Sequence, residues 1–337
     1  MKIYVDAMGG DHAPQAPMEG ALEALQKYPE LTLELGGPLG QLEEEAQRVF
    51  AQAEPALRDR LLLTDCPQVI ENCEAPVMAV RKKTQSGIVD GMLKLRDEQV
   101  DAFVSAGSTG AVLAGGMFRL GRIPSIERPA LAPLMPNGKG YFLLVDCGAN
   151  VDCRPEWLEQ FAIMGNAYMQ GVMGIEAPRI GLVNNGAEAE KGCALTKEAY
   201  ELLEKNENLN FIGNVEARDI TADVADVLVC DGFVGNVILK FMEGMAGTLM
   251  KMIKTEIKSD PRSMLGGLLA KPAFRRVGKA MDYTEVGGAP LLGVRGSVVK
   301  AHGSSNGHAL ACAIGQAVKM IEGDVVGKIR QNLVCAE

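Results

Sequence analysis

A short apolar run passes directly into a glycine-rich turn, AFVSAGSTG at residues 102–110, and this stretch decides the fold. The apolar residues predict a buried strand, and the pattern after Gly110 predicts a helix. Glycines let the backbone approach an anion, and hydroxyls and helix-starting N–H groups can bind phosphate oxygens. The same sequence is equally typical of a plain strand-to-helix turn capped by a serine. It contains neither a Walker A motif nor a GxGxxG dinucleotide fingerprint.

The same order of strand, polar turn and helix recurs along the whole chain. Further strands are predicted at residues 3–6, 31–35, 61–64, 141–145, 179–183 and 227–230. Apolar runs that alternate with helices predict a mainly parallel sheet covered on both faces, in a single α/β domain over residues 1–337. In such a sheet the ligand crevice lies beyond the carboxyl ends of the strands, where these polar turns fall.

A long helical region at about residues 236–281, interrupted at Asp260-Pro261, breaks this order. We expect it to be an excursion from the core. Its segment 264–281 has four basic residues and no acidic one, and its apolar residues recur at helical spacing. Three interpretations remain open: an amphipathic helix on a membrane, a docking site for an acidic protein, and a dimer-interface helix.

Composition excludes some classes of function. The net charge of −9 argues against a general nucleic-acid binder, because the phosphate backbone demands positive charge. The eight cysteines form no CxxC pair and no zinc-like spacing, which is typical of buried thiols in a reducing compartment. The first residues predict a strand and not a signal peptide, and no apolar run approaches the ~20 residues of a membrane span. We expect a cytosolic protein, with peripheral membrane contact still open.

Lysine and histidine residues in the polar turns are candidates for anion binding or proton transfer. Lys191 could supply a charge to phosphate or to an oxyanion, although its two glutamate neighbours by themselves favour a solvated loop charge. His12 and His302 both lie in glycine-rich turns and could share a site, with either as general acid or base. No Ser-His-Asp order or nucleophile elbow is evident, so a covalent acyl-enzyme is not expected.

Taken together, these stretches resemble the phosphate acyltransferase family known as PlsX. The matching stretches are residues 5–14, 105–110, 128–131, 146–155, 211–219, 231–236, 283–292 and 300–305. They follow the family's order and cover nearly the whole chain. The resemblance implies a Rossmann-like three-layer α/β/α fold, similar to phosphotransacetylases and isopropylmalate dehydrogenases, with the helical segment protruding.

The resemblance also implies an activity and a set of partners. A long-chain fatty acyl group would pass from acyl carrier protein to inorganic phosphate, without a metal or an organic cofactor. The protein would be a cytosolic homodimer in peripheral contact with the membrane. A glycerol-3-phosphate acyltransferase would use the acyl-phosphate in phospholipid synthesis, and no nucleic acid would be bound.

The matching motifs, the polar turn at residues 184–192 and the basic helical segment together give the candidate roles of individual residues. The predicted catalytic residues are Lys191, His302, Asp231 and Asn236. The predicted phosphate-binding residues are Ser105, Gly107, Ser108, Thr109, Gly110 and Ser304. Residues that contact the acyl or pantetheine group, or that form turns, are Asp6, Gly9, Gly10, His12, Asn150, Asn184 and Gly186. The predicted docking residues for the carrier protein are Lys271, Arg275, Arg276 and Lys279.

Three alternative functions remain. A phosphotransacetylase acting on short acyl-CoA would use the same phosphate site but would have no purpose for the basic apolar segment. A dehydrogenase of the isopropylmalate type is disfavoured by the lack of a GxGxxG fingerprint and of a paired-Asp metal cluster. A scaffold that binds membrane and carrier protein without chemistry would not need polar turns clustered at strand ends.

Overall fold

The computed structural model describes residues 1–280 and 286–334, with the side chains of 279, 280 and 334 left out. The strands are β1 Lys2–Asp6, β2 Thr32–Gly37, β3 Leu61–Asp65, β4 Ala102–Ser105, β5 Ala130–Leu131, β6 Leu134–Pro136, β7 Tyr141–Val145, β8 Arg179–Asn184, β9 Asn210–Glu216, β10 Val227–Val229, β11 Ala289–Leu292 and β12 Ser297–Lys300. The helices are α1 Gln15–Lys27, α2 Leu39–Val49, α3 Pro55–Arg58, α4 Pro76–Lys82, α5 Gly87–Arg96, α6 Thr109–Gly115, α7 Pro155–Val172, α8 Ala194–Lys205, α9 Gly232–Ile257, α10 Pro261–Ala280, α11 Gly307–Glu322 and α12 Val325–Val334. A π-helical turn, Gly116–Leu120, continues α6.

The strands form two sheets. The first has the order β3-β2-β1-β4-β12-β11-β5 and is parallel from β3 to β12, with β11 antiparallel to both of its neighbours. The second has the order β6-β7-β10-β8-β9 and is parallel except for β6. The predicted mostly parallel α/β fold is confirmed, but the strands divide between two sheets where the sequence suggested one.

The crossing between the sheets lies at residues 132–133, between β5 and β6. The Ala132 N–H donates to Pro290 O of the first sheet, and the Leu144 N–H donates to Pro133 O of the second. The two short strands are therefore edge strands of different sheets. Strand periodicity could not reveal this division, because two residues separate the strands and both are apolar.

Burial explains why the central strands form where they do. Ile3, Tyr4 and Val5 of β1 are fully buried, because helices cover both faces of the first sheet. Helices α1 and α11 pack closely: a Cβ at Gly20 would lie 2.6 Å from the Cβ of Leu310. One continuous apolar core contains residues of both sheets.

The protruding helical segment consists of α9 and α10, separated by residues 258–260. The predicted break at Asp260-Pro261 is confirmed: the Asp260 carboxylate accepts hydrogen bonds from the backbone N–H groups of Arg262 and Ser263. Exposed apolar side chains follow α9 at helical spacing and recur on α10, where Leu269 is 76 % exposed. Within the described residues, no helix is long and apolar enough to cross a membrane. Met281 and residues 283–285 of one matching stretch lie outside the described residues.

Candidate active site

Three polar turns of the first sheet meet at the carboxyl ends of β1, β4 and β12, which are neighbouring strands. The Asp11 N–H donates to Gly303 O at 2.8 Å, and the Ala301 N–H donates to Ser105 O at 2.9 Å. Gly10 has φ +94°, and a Cβ there would lie 2.9 Å from Gly303 O, so the close approach of the turns requires glycine. The sequence placed these turns at strand ends, and the strand order brings them together.

Asp6 and Ser105 form the buried base of this cluster. The Ser105 hydroxyl donates to Asp6 Oδ2 at 2.7 Å and accepts the Gly107 N–H at 2.9 Å. Burial raises the pKa of Asp6, while the Ser105 hydroxyl, the Met8 N–H and the charge of Lys300 oppose that shift. The predicted phosphate ligand Ser105 therefore already bonds within the turn, and Asp6 acts as a turn-forming residue.

Lys300, at the end of β12, is the buried cation of the site. It is 7 % exposed, and its ammonium donates to Ala106 O at 3.3 Å and to Ala301 O. Burial lowers the pKa of Lys300 to about 8, and the carboxylate of Asp6 partly opposes that effect. Such a lysine can change its charge near neutral pH.

The turns after β7 and β10 form the facing cluster of the second sheet. The Asp146 carboxylate accepts the N–H groups of Leu131, Ala149 and Asn150, and burial raises its pKa to about 6. The Asn150 amide donates to Pro129 O at 2.8 Å and to Asp146 Oδ2 at 3.0 Å. Asn150 therefore holds the turn together.

Asp231 begins α9 as its N-cap. Its carboxylate accepts the Val234 N–H at 2.9 Å, which satisfies a donor of the first helical turn. A Cβ at Gly235 would lie 1.9 Å from Asp146 O, so the start of α9 packs directly on the turn after β7. This packing fixes the position of Asn236, the next residue.

A cavity of about 270 Å³ separates the two clusters. Its polar lining residues are Thr109, Asn236, Lys240, Glu243, Lys300 and His302. Its apolar lining residues include Leu131, Pro133, Leu134, Met135 and Leu239. The structure thus brings together three predicted site residues, Thr109, Asn236 and His302, beside a wall that suits an apolar group.

His302 lies at the cavity with its imidazole bonded to Ser304. Its Nδ1 lies 2.8 Å from Ser304 Oγ and accepts the Ser304 N–H at 3.2 Å, which leaves the ring proton on Nε2. Burial lowers the pKa of His302, and the positive charge of Lys240 lowers it further. Ser304, a predicted phosphate ligand, therefore bonds to His302, a predicted catalytic residue, and orients its imidazole.

The other predicted residues surround the cavity or lie apart from it. Gly107, Ser108 and Gly110 flank Thr109, and the N-cap position of α6 is Ser108 without a side-chain cap hydrogen bond. The exposed His12 is not among the described residues that line the cavity. Gly9 packs against the first cluster, since a Cβ there would lie 2.5 Å from Gly107 N.

Lys191 belongs to a separate turn after β8. The Asn184 amide donates to Lys191 O at 3.2 Å and to Asn214 Oδ1 at 3.0 Å. A Cβ at Gly186 would lie 2.7 Å from Lys191 Cγ, so the lysine stem lies over that glycine. The exposed Lys191 is not among the described lining residues, and its catalytic role stays a prediction.

Sequence reasoning missed three charged lining residues, Lys240, Glu243 and Lys300. Lys240 and Glu243 form an ion pair of 2.8 Å on α9. Lys240 follows Asn236 by four residues, so helical spacing alone would have put both on one face. Lys300 lies two residues before His302 in the sequence, but its burial could not be predicted from the sequence.

Comparison with known proteins identifies the family. The model of the family described as "Fatty acid synthesis protein" matches residues 1–328. A phosphate acyltransferase of Clostridium perfringens (strain SM101) is 47 % identical over 333 residues, which cover 99 % of this chain and 97 % of that protein. A phosphate acyltransferase of Thermoanaerobacter pseudethanolicus is 48 % identical with the same coverage. The chain belongs to the phosphate acyltransferase (PlsX) family.

Solved structures show the fold that this phosphate acyltransferase family member shares with other enzymes. A phosphotransacetylase from Streptococcus pyogenes has a TM-score of 0.58 at 17 % identity and covers 99 % of this chain and 94 % of its own. The EutD phosphotransacetylase from Staphylococcus aureus has a TM-score of 0.56 at 15 % identity, covering 96 % and 93 %. At these identities the likeness concerns the fold alone.

Proposed function

We propose that this phosphate acyltransferase family member transfers a long-chain fatty acyl group from acyl carrier protein to inorganic phosphate, making acyl-phosphate for phospholipid synthesis. The cavity carries the proposal, because its lining combines cationic and hydrogen-bonding groups with apolar side chains. A phosphate anion suits the polar groups, and the start of an acyl chain suits the apolar side chains.

Lys300 is the principal phosphate ligand in this proposal. An ammonium group has three N–H donors, and the carbonyls of Ala106 and Ala301 take two of them. The third donor is available to an anion in the cavity. Thr109 at the start of α6 and the Nε2–H of His302 are the neighbouring donors.

The chemistry is a direct displacement. A phosphate oxygen of HPO₄²⁻ attacks the thioester carbonyl carbon, the C–S bond breaks, and a new C–O bond forms the acyl-phosphate. The phosphate proton ends on the departing thiolate, which leaves as the free thiol of the carrier. Since phosphate is already ionised, positioning and charge stabilisation of the tetrahedral oxyanion supply most of the catalysis.

Asn236 and Lys240 are the proposed donors to that oxyanion. They lie one helical turn apart on α9 and both line the cavity. Lys240 is held by Glu243 at 2.8 Å, so its ammonium must exchange one anionic partner for another when a ligand binds. Lys191 remains a further proposed contributor from the turn after β8.

The basic segment of α10 is the proposed docking site for the acidic carrier protein. Lys271, Arg275 and Arg276 are exposed, while the side chain of Lys279 lies outside the described residues. Exposed Leu265, Leu268 and Leu269 on the same helix would contact a partner subunit or the membrane surface. A cytosolic homodimer in peripheral contact with the membrane, supplying a glycerol-3-phosphate acyltransferase, completes the proposal.

The test incubates the pure protein with palmitoyl-acyl carrier protein and phosphate. Phosphate-dependent release of the free thiol carrier, together with hydroxylamine-reactive acyl-phosphate, is the expected result. Parallel reactions contain palmitoyl-CoA or acetyl-CoA instead. Turnover with acetyl-CoA alone would make the protein a phosphotransacetylase, and no phosphate-dependent release from any donor would refute acyl transfer.

A further inference from the structure

A second cavity, of about 540 Å³, lies near the amino ends of β4 and β12, at the opposite end of these strands from the first cavity. The end of α5, the loop after the π-helical turn, the turn before β12 and helix α12 form its walls. Three of its lining residues are Arg96, Arg295 and Arg330, and the carboxylate of Glu98 is the opposing charge in the lining. We call this space the arginine cavity.

The guanidinium groups of the arginine cavity keep donors for a ligand. Arg295 donates its Nε–H to Arg122 O at 3.1 Å, and Arg96 bonds the carboxylate of its neighbour Asp97. Within residues 1–280 and 286–334, the guanidinium of Arg330 has no hydrogen-bond or ion-pair partner, although its backbone belongs to α12. Each guanidinium has five N–H donors in a fork that matches carboxylate and phosphate oxygens. In a chain of net charge −9, this concentration of positive charge favours an anion.

The remaining walls of the arginine cavity are mainly apolar. Leu95, Ile123, Pro124 and Leu333 line it beside the arginines. Leu95 and Ile123 are already buried, but Pro124 is exposed and Leu333 is half-buried. An apolar chain would cover this surface, which a small inorganic anion would leave in contact with water. The lining therefore suits a molecule with an anionic head and an apolar tail.

The backbone around the arginine cavity is left-handed at two residues. Glu98 has φ 56° and Ser125 has φ 67°, and both residues line the cavity. Glu98 directly follows the C-cap of α5, and the Gln99 N–H donates to Lys94 O at 2.9 Å, so its conformation is that of a common helix end. Left-handed backbone at a loop residue such as Ser125 recurs at ligand sites.

We infer that the arginine cavity binds an amphiphilic anion, an apolar chain that ends in a carboxylate or a phosphate. Arg295 and Arg330 bind the head, and the apolar wall covers the tail. The site is separate from the reaction cavity, because Arg295 precedes β12 while Lys300 ends it, and the inference does not depend on the acyl transfer proposed above.

Calorimetric titration of the full-length protein tests the site. The probes are decyl phosphate and decanoate below their micelle concentrations, and comparing them distinguishes a phosphate head from a carboxylate head. Decanol, which has no charge, and inorganic phosphate, which has no apolar chain, are the control ligands. We expect at least one amphiphilic anion to bind, and we expect Arg330→Gln to weaken its binding about tenfold or more, since a charge-assisted contact is lost. Arg330→Gln breaks no side-chain hydrogen bond among the described residues. Arg262→Gln, at an exposed arginine of α10, is the matched control.

The reaction cavity could bind the same probes, so Lys300→Met is titrated in parallel. Retained binding by Lys300→Met, with loss in Arg330→Gln and in Arg295→Gln/Arg330→Gln, supports the second site. Unchanged binding by the double arginine variant would overturn it, as would loss in Lys300→Met alone. The inference would also be overturned if neither decyl phosphate nor decanoate bound, or if decanol bound as tightly as they do.

Discussion

Asp6 and Lys300 stand at the same level of the first sheet, on either side of Ser105. In the strand register Asp6 pairs with Ser105, and Ser105 pairs with Lys300, so all three side chains point to one face. All three are buried, with exposures of 3 %, 0 % and 7 %. An acid and a base from opposite ends of the chain thus share one low-dielectric environment, in which each changes the pKa of the other.

The protonation of Lys300 predicts the pH dependence of phosphate binding. Burial lowers its pKa to about 8, so the ammonium is present below that pH and is lost above it. We expect the KM for phosphate to rise as the pH increases through about 8. Lys300→Met should lower kcat/KM about a hundredfold, as expected for the loss of a charged donor, and should abolish this rise. Steady-state kinetics from pH 6.5 to 9 would check both; a rise that persists in Lys300→Met would contradict the assignment.

The charges of Asp6 and Lys240 should shift the pH at which the KM for phosphate rises, in opposite directions. The Asp6 carboxylate raises the pKa of Lys300 and the Lys240 ammonium lowers it. Asp6→Asn should therefore shift the rise in the KM to lower pH, and Lys240→Met should shift it to higher pH. Asp11→Asn is the matched control for Asp6→Asn, because Asp11 has the weakest influence on Lys300. An unchanged profile in Asp6→Asn would mean that Asp6 is already protonated in this range.

The role of Lys191 can be tested against that of Lys240, which lines the cavity. From the sequence we predict that Lys191→Ala lowers turnover by more than about tenfold, the effect of a lost oxyanion or phosphate contact. Lys240→Ala should also lower kcat, because Lys240 is a proposed donor to the oxyanion. Near-normal turnover of Lys191→Ala, measured by thiol release, would remove Lys191 from the mechanism. Lys197→Ala, on the neighbouring helix α8, is the control.

Substitutions of Asp231 should distinguish a role as the helix N-cap from a direct role in catalysis. Serine also caps helices well, so Asp231→Ser should keep the hydrogen bond to the Val234 N–H and most of the activity. Asp231→Ala should lower the free energy of unfolding by about 1 kcal/mol and reduce activity by displacing Asn236. Thermal melts and kinetics of both variants would check this. Complete inactivity of a well-folded Asp231→Ser would instead indicate a direct catalytic role.

Carrier-protein docking on α10 predicts a selective effect of charge reversal. Arg275→Glu/Arg276→Glu should raise the KM for acyl carrier protein and leave kcat nearly unchanged, because both arginines are exposed and neither lines the cavity. The effect should shrink at high salt. Arg262→Glu, at the start of the same helix, is the control. Equal effects on palmitoyl-CoA and on palmitoyl-acyl carrier protein would contradict docking at this segment.

The sequence by itself determined the fold class and the family, and it placed the polar turns at the carboxyl ends of the strands. Apolar runs of strand length followed by glycine-rich turns are local signals, because burial on both faces and tight turns each need particular residues at particular positions. Strands β4 and β7 therefore begin and end where the sequence predicts. Thr109, Asn236 and His302, which line the cavity, were predicted as site residues because their turns carry the family's motifs.

Only the tertiary structure decided which turns share the cavity and which side chains line it. Strand order is a long-range property, so sequence could not tell that β12 lies beside β4 and brings Lys300 to Ser105. Packing likewise decides that the side chains of Ser105 and Asn150 form hydrogen bonds to the turns, while those of Lys240 and Lys300 line the cavity. Burial changes the charge behaviour of Lys300, and burial depends on packing between segments nearly two hundred residues apart.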